Sequence, residues 1–158
     1  MIVVADTSPL NYVIQVGREA LLPRVFGKVV VPRMVGIELS HPHAPERVRS
    51  WASTMPDWVD AVSYSLLPDP QLEYLGDGER ETIQISQEIG ADLILIDDLQ
   101  GRNEANSRGF RITGTLGVLL DAGEMGLIDA KVEYRRLLAE TNFRTSVKLE
   151  SEFLRRVQ

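Results

Sequence analysis

Acidic residues stand directly after two short apolar runs. Asp6 follows residues 2–5 (IVVA), and Asp97 and Asp98 follow residues 93–96 (LILI). Short runs rich in β-branched residues are typical of buried strands. Because open parallel sheets bind ligands outside the carboxyl ends of their strands, these three carboxylates stand where such a sheet carries its chemistry.

Further acids lie near the ends of other predicted elements. Glu38 comes about one and a half helical turns after the predicted strand at residues 28–31. Glu79 and Glu81 open the predicted helix that precedes Asp97. If the first and fourth strands are neighbours, we expect all these groups to converge.

Converging carboxylates repel one another unless a cation neutralises them. Mg²⁺ and Mn²⁺ prefer oxygen ligands and retain several waters. One or two such ions can activate a water, orient a phosphodiester and stabilise the leaving oxygen. The pattern therefore predicts a Mg²⁺ or Mn²⁺ site among these acids.

Each acid alone also has a structural explanation. Asp6 could cap a helix, and Glu38 could be solvated. Glu79 and Glu81 lie in a predicted first turn, where acids interact favourably with the helix dipole. An Asp-Asp pair after a strand is common in turns. The joint placement of the acids, rather than any one of them, indicates a shared site.

Strands and helices are predicted to alternate along the chain. The strands cover residues 2–5, 28–31, 58–62, 92–96 and 110–112. This alternation favours an α/β fold, in which helices cover both faces of a parallel sheet.

The length of 158 residues fits one domain. We expect a core over residues 1–128 and a C-terminal helical extension over residues 129–158 that packs on the same domain. Apolar positions along the extension favour this packing. They are Leu137, Leu138, Val147, Leu149, Phe153 and Leu154.

Composition excludes several classes of protein. The chain has no cysteine, so disulfides, thiolate zinc sites and cysteine nucleophiles are excluded. The net charge of −6 argues against a broadly electropositive nucleic-acid binder, although a metal-dependent nuclease also carries carboxylates. We see no apolar run of about 20 residues and no signal-peptide pattern, and we expect a cytoplasmic protein without a membrane partner.

Other candidate motifs are weaker. His41 and His43, set among prolines, are interpreted as loop residues. Residues 113–117 (TGTLG) could contact a phosphate through backbone N–H groups, or could pack a helix closely against the sheet. The phosphate-binding and dinucleotide-binding glycine patterns are missing, as is a serine-hydrolase elbow.

The ordered set of acidic motifs resembles the PIN-domain ribonucleases. Residues 2–10 (IVVADTSPL) are similar to the opening of these proteins, and residues 29–38 (VVVPRMVGIE) to their second acidic motif. Residues 78–83 (GERETI) and 91–98 (ADLILIDD) are similar to the third and fourth motifs. Residues 101–117 look like a prokaryotic, VapC-like toxin branch of the family.

The resemblance covers about residues 1–128 and implies a parallel sheet of order 3-2-1-4-5 flanked by helices, here with extra C-terminal helices. It implies Mg²⁺- or Mn²⁺-dependent cleavage of RNA. Many prokaryotic members resemble toxins that a small antitoxin protein holds inactive, so an RNA substrate and an antitoxin partner are expected.

The same resemblance assigns the site residue by residue. Asp6, Glu38, Glu79 and Asp97 match the catalytic acids, and Asp6, Glu38 and Asp97 would bind the metal, with Asp98 as an adjacent ligand. The third acid of the family is commonly Asp, so the longer Glu79 is a departure. Glu81 could supply this ligand instead.

Three arginines follow the fourth acidic motif. Arg102, Arg108 and Arg111 could hold RNA phosphates, or could lie on a solvated helix face, an alternative with particular weight for Arg108. A non-catalytic PIN-like module that binds RNA or protein is the alternative function, and a receiver-type domain is less well supported.

A homodimer is also predicted. The helices between Leu39 and Trp51 carry more apolar residues than one stripe needs, and related domains often pair through this region. The alternative is that Trp51 and Trp58 pack inside the monomer.

Overall fold

Five short strands form one parallel sheet in the computed structural model, which describes residues 1–157. The strand order is β3-β2-β1-β4-β5, so the expected order 3-2-1-4-5 and the α/β fold are confirmed. The strands are β1 Val3–Ala5, β2 Val29–Pro32, β3 Val59–Val62, β4 Leu93–Leu95 and β5 Arg111–Thr113.

Helices connect the strands and continue after the last one. Up to the third strand they are α1 Thr7–Gln15, α2 Leu21–Phe26, α3 Arg33–Leu39 and α4 Glu46–Ser53. The rest are α5 Asp77–Ile89, α6 Leu99–Ser107, α7 Thr115–Glu124, α8 Ala130–Glu140 and α9 Val147–Arg156. Before α5, Pro70–Leu72 forms a single 3₁₀ turn, at whose start the Asp69 side chain accepts a hydrogen bond from the Gln71 N–H.

Alternating residues of the central strands face opposite helical layers. Val3 and Ala5 of β1 join the cluster that packs against α1 to α4, whereas Val4 packs with Ile85 of α5 on the other face. All are buried. Side chains of a strand point alternately to its two faces, so strands covered on both faces read as the unbroken apolar runs of the sequence.

The register brings the ends of β1 and β4 to the same edge of the sheet. Ala5 pairs with Leu95, and the Asp6 N–H donates to the Leu95 carbonyl at 2.8 Å. Asp6 therefore leaves β1 beside the residues that lead to Asp97, as two-way winding from a central strand requires.

The two C-terminal helices pack on α7 and the end of α1. Tyr134 and Leu137 of α8 and Phe153 of α9 share a buried cluster with Val16 and Leu119. Helices α8 and α9 thus share a hydrophobic cluster with α1 and α7, and the division into a core over residues 1–128 and an extension over residues 129–158 stays a prediction.

A buried ion-pair network fastens α8 to the turn after α1. Both Glu133 oxygens accept hydrogen bonds, Oε1 from Arg18 Nε at 2.9 Å and Oε2 from Arg136 Nη1 at 3.0 Å. Arg136 also donates to the Val16 carbonyl at 3.0 Å. The Glu133 side chain is only 4% exposed, so its charge depends on these partners.

The tryptophans behind the dimer prediction contact each other within the monomer. The rings of Trp51 and Trp58 lie 5.8 Å apart, and both pack against the cluster under α1 to α4. Packing of the two tryptophans inside the monomer is the alternative that the sequence left open. It accounts for apolar residues of the region that suggested a dimer. The homodimer stays a prediction, which light scattering at high micromolar concentration would test.

Within residues 1–157, no helix is both long and apolar enough to cross a lipid bilayer.

We predict that Glu133→Gln lowers the free energy of unfolding by about 1–3 kcal/mol, because the neutral amide cannot satisfy two guanidinium groups as strongly. Urea unfolding gives the measurement. Glu140→Gln is the matched control, since Glu140 also pairs with Arg136 but is 46% exposed, and it should lose less than about 1 kcal/mol. Equal losses in both variants would contradict a fastening role for Glu133.

Candidate functional site

Four carboxylates from four elements meet at the carboxyl edge of the sheet. Asp6 leaves β1, Glu38 lies on α3, Glu79 lies in the first turn of α5, and Asp97 follows β4. The charges of Glu79, Glu38 and Asp97 all act on Asp6 and raise its pKa. The structure thus brings the four acids that the resemblance assigned as catalytic close enough for the other three to act on Asp6.

Asp6 is the most deeply buried member of this acid cluster, which we define as Asp6, Glu38, Glu79 and Asp97. Only 3% of Asp6 is exposed, and its Oδ1 has no hydrogen-bond partner among the described residues. Burial raises its pKa to about 8, and the neighbouring acids add to the shift while the nearby Thr7 N–H partly offsets it. Asp6 precedes α1, but its side chain makes no capping hydrogen bond, so the helix-cap explanation does not account for it.

Glu38 is held in place by two donors from other elements. Its Oε2 accepts from the Thr7 hydroxyl at 2.7 Å, and its Oε1 accepts from the Gly78 N–H at 3.0 Å. A Cβ at Gly78 would lie only 2.5 Å from the same Oε1, so a larger residue there would displace the Glu38 carboxylate. These contacts exclude the alternative of a freely solvated Glu38.

The structure distinguishes the two candidates for the third acid. The charges of Asp98 and Glu38 act on Glu79, whose pKa is raised first by burial and then by those charges. Glu81 turns away and accepts from the Met34 N–H at 2.9 Å, at the start of α3. Residues two apart on a helix do not share a face, so only Glu79 joins the acid cluster.

Asp97 is tied to the start of α7 through both of its oxygens. Oδ1 accepts from the Thr115 N–H and Oδ2 from the Thr115 hydroxyl, each at 2.7 Å. Burial raises the pKa of Asp97, whereas Thr115 and then Arg102 lower it. A Cβ at Gly114 would overlap Asp97. The motif at residues 113–117 therefore packs a helix closely, and the Thr115 N–H is not available for a phosphate.

Asp98 has a structural role at the neighbouring helix. Its Oδ2 accepts from the Gly101 N–H at 2.9 Å and caps α6. The residue is exposed, and its charge reaches the acid cluster through Glu79. Its assignment as a metal ligand stays a prediction.

The three arginines separate into different environments. Arg102 donates to the Ile96 carbonyl at 2.9 Å, and its charge acts on Asp97. Arg108 is ion-paired with Asp69 and Glu104, each at 2.9 Å, and is 13% exposed. These contacts give Arg108 a structural role, in a largely covered ion pair rather than on a solvated helix face. Its assignment to RNA binding stays a prediction.

Arg111 also lies away from the acids. It is the first residue of β5, opposite Leu93, and so lies at the amino edge of the sheet. Its charge acts on Asp121 of α7. Arg102 alone of the three lies beside the acid cluster.

The residues fit a hydrated divalent cation. Within residues 1–157, no group of three or more Asp, Glu, His or Cys side chains is arranged so that it could hold a metal ion by itself. Mg²⁺, however, is usually bound through one or two carboxylates, with waters and substrate phosphates completing its shell. The unpartnered Asp6 Oδ1 and the mutual repulsion of the acids are what such an ion would satisfy.

Sequence reasoning missed the residues that orient the acids. Thr7 and Gly78 hold Glu38, and Thr115 holds Asp97. The available signals were small or hydroxyl residues next to acidic motifs, in DTS, DGE and TGT. The two histidines lie exposed between α3 and α4, as interpreted.

The sequence matches the profile of the DUF3368 family, described as a PIN domain, over residues 2–158. Among solved structures, a PilT N-terminus domain protein from the hyperthermophilic archaeon Sulfolobus solfataricus P2 aligns with a TM-score of 0.55. It is 18% identical, and the alignment covers 75% of this chain and 90% of that chain. No curated protein matches the sequence. At this identity the structural likeness bears on the fold alone.

We predict that the metal-free protein loses stability as pH rises from about 4 to 8. Over this range unfolding releases the Asp6 proton, because the folded pKa of about 8 lies above the ordinary value of 3.8. Asp6→Asn removes this dependence, so its melting temperature should exceed that of the wild type by an amount that grows with pH. Each kcal/mol of relieved repulsion corresponds to about 2–4 °C in a domain of this size.

The measurement is thermal unfolding of both proteins in chelator across this pH range. A difference in melting temperature that stays constant with pH would show that Asp6 titrates normally.

Proposed function

Because this chain belongs to the PIN-domain family, whose members are typically nucleases, we propose that it is a metal-dependent endoribonuclease. The proposed substrate is RNA, and the proposed cofactor is Mg²⁺ or Mn²⁺. The observation that carries the proposal is the buried Asp6 carboxyl group, which lies among three other acids with one oxygen unpartnered.

The Asp6 carboxyl group has little structural value of its own. Like charges at close range oppose folding, and burial of a carboxyl group without a partner adds a further cost. A protein that needed only a stable sheet edge would be improved by a neutral residue at position 6. Sites that keep strongly shifted pKa values at this cost are candidates for function.

Each residue of the site has a defined part in the proposal. Asp6 would bind the ion directly, because its Oδ1 is unpartnered. Glu38 and Asp97 keep fixed orientations through Thr7 and Thr115, and would complete the negative field that attracts the ion. When bound, a divalent cation polarises a phosphodiester and helps to generate the attacking nucleophile.

We assign substrate binding to Arg102, at the same carboxyl edge of the sheet. Arg102 lies next to Asp97 and has no carboxylate within ion-pair distance in the described chain. Its guanidinium group could hold an RNA phosphate beside the ion. The guanidinium charge would offset part of the repulsion between that phosphate and the acids.

The biological role that we propose is the toxin of a toxin–antitoxin pair. Its support is the resemblance of residues 101–117 to the VapC-like branch. A small protein encoded beside the gene should then bind this chain and suppress its activity. Co-expression of the two, with growth and complex formation as readouts, tests this role separately from the chemistry.

The alternative function, a non-catalytic PIN-like module, is less well supported. Such a module would have no use for the unpartnered Asp6 oxygen or for the precise holding of Glu38. It would bind RNA without cleaving it, so the experiment below separates the two functions.

We predict that Asp6→Asn reduces cleavage of a mixed RNA pool by more than about 100-fold. Loss of residues that merely support a metal ligand costs about 10- to 100-fold, so loss of a ligand should cost more. The fold should persist, because Asn has nearly the same shape. The Mn²⁺-induced rise in melting temperature should also shrink, since stabilisation follows affinity.

Asp60→Asn is the matched control, because Asp60 is exposed on β3 and lies outside the acid cluster. It should cleave RNA and respond to Mn²⁺ as the wild type does. If Asp6→Asn cleaves at the wild-type rate and gains as much from Mn²⁺, the proposed chemistry is wrong.

A further inference from the structure

A cleft opens next to the acid cluster on the side of the C-terminal helices. One wall comes from the carboxyl edge of the sheet and α7, including Asp97, Arg102 and Leu116. The other wall comes from the segment before α9 and from α9 itself, including Arg144 and Leu149. The extension thus builds half of a cleft whose other half is the candidate site.

The position of the second wall is fixed by contacts with α1. The Tyr12 hydroxyl donates to Asn142 Oδ1 at 3.0 Å, and the Tyr12 ring packs edge-on against Phe143 at 5.1 Å. Burial raises the pKa of Tyr12, the Asp97 charge adds to the shift, and the Arg144 charge opposes it. The charges of Asp97 and Arg144, which both line the cleft, thus act on the same hydroxyl group with opposite effects.

The charges in the cleft favour an anion beside the acids. Among residues 1–157, no carboxylate lies within 4.0 Å of a nitrogen of Arg102 or Arg144, whereas Arg156 is paired with Glu124 at 2.9 Å. Glu152 also lines the cleft. The guanidinium groups of Arg102 and Arg144, which form no ion pairs among the described residues, thus line the cleft together with Asp97.

The size and lining of the cleft suit one flat group. Its volume of about 240 Å³ is below the range of about 300–1,000 Å³ that encloses drug-sized molecules. Leu116, Leu149 and Phe143 line the cleft with apolar side chains, and Arg102 and Arg144 line it with guanidinium groups. Apolar side chains next to guanidinium groups match a base with its attached phosphate.

We propose that this cleft holds one unpaired nucleotide of the RNA substrate, next to the bond that is cleaved. The base would lie against Leu116 and Leu149, and the phosphate would contact Arg144 and Arg102. This inference rests on the proposed nuclease function and extends it, because it assigns substrate positioning to the C-terminal extension.

The inference also specifies the form of the RNA. A base can enter the cleft only when it is turned out of a helix, and single strands allow this at little cost, whereas a duplex must first unpair. The cleft should therefore take part in binding of single-stranded RNA, and perfectly paired RNA should not use it.

Two pairs of variants test the cleft without touching the acids. Arg144→Gln removes a charge that lines it, and Arg155→Gln removes the same charge from an exposed position of α9 outside it. Leu149→Glu places an acid in the cleft, and Val147→Glu places one on the exposed start of the same helix. Acids in the first turn of a helix interact favourably with its dipole, so both glutamate variants should fold. Their melting temperatures would verify this.

For cleavage of a single-stranded oligoribonucleotide, Arg144→Gln should raise KM about ten- to hundredfold, as expected for one lost charge-assisted contact. Leu149→Glu should also raise KM, because its carboxylate repels the phosphate. The value of kcat should stay within twofold, because neither residue reaches the reacting atoms. Arg155→Gln and Val147→Glu should leave both constants within twofold. Annealing the complementary strand should abolish the difference between the Arg144 and Arg155 variants.

The outcomes separate this inference from the proposed function. If the wild type cleaves and the cleft variants match their controls, the cleft assignment is wrong. Equal weakening of single-stranded and duplex RNA by Arg144→Gln would also overturn it, since that indicates general electrostatic attraction. If the wild type does not cleave, the nuclease proposal fails. Fluorescence anisotropy of the oligonucleotide in chelator then tests the cleft assignment through binding alone. Equal dissociation constants for Arg144→Gln and Arg155→Gln would overturn that assignment.

Discussion

The burial of the Asp6 carboxyl group among like charges is the unfavourable interaction on which the rest of the site depends. The protein accepts this interaction at the centre of its sheet, where β1 lies between β2 and β4. The pKa of Asp6 is raised first by burial and then by the neighbouring acids, so the ionised carboxylate is disfavoured in the absence of a cation. A large apolar core on both faces of the sheet makes this destabilisation tolerable.

The other acids differ from Asp6 because each has donors of its own. Glu38 has Thr7 and Gly78, and Asp97 has Thr115. These donors come from elements that are distant in sequence, so the acid cluster also ties α3 to α5 and β4 to α7. Glu38 and Asp97 therefore serve the candidate site and also join the helices to the sheet. A neutral replacement at either position would disturb the site and the packing together.

Much of the fold could be predicted from the sequence, because strands buried on both faces leave unbroken apolar runs. The edge strand β3, only half buried, was still visible as an alternation near Trp58. The strand order required the family resemblance, since apolar runs do not specify their neighbours. The convergence of Asp6 and Asp97 followed from strand ends, whereas the choice of Glu79 over Glu81 depended on the rotation of α5, which begins at Asp77. The ion pair of Arg108 with Asp69 could not be predicted, because the partners are 39 residues apart.

The central claim is that Asp6 is a ligand of a divalent cation. Anomalous diffraction from crystals grown with Mn²⁺ tests it most directly, because the signal locates the ion without reference to activity. The account predicts one peak in contact with Asp6 and at least one of Glu38, Glu79 and Asp97. A structure at saturating Mn²⁺ in which no ion touches Asp6 would contradict it.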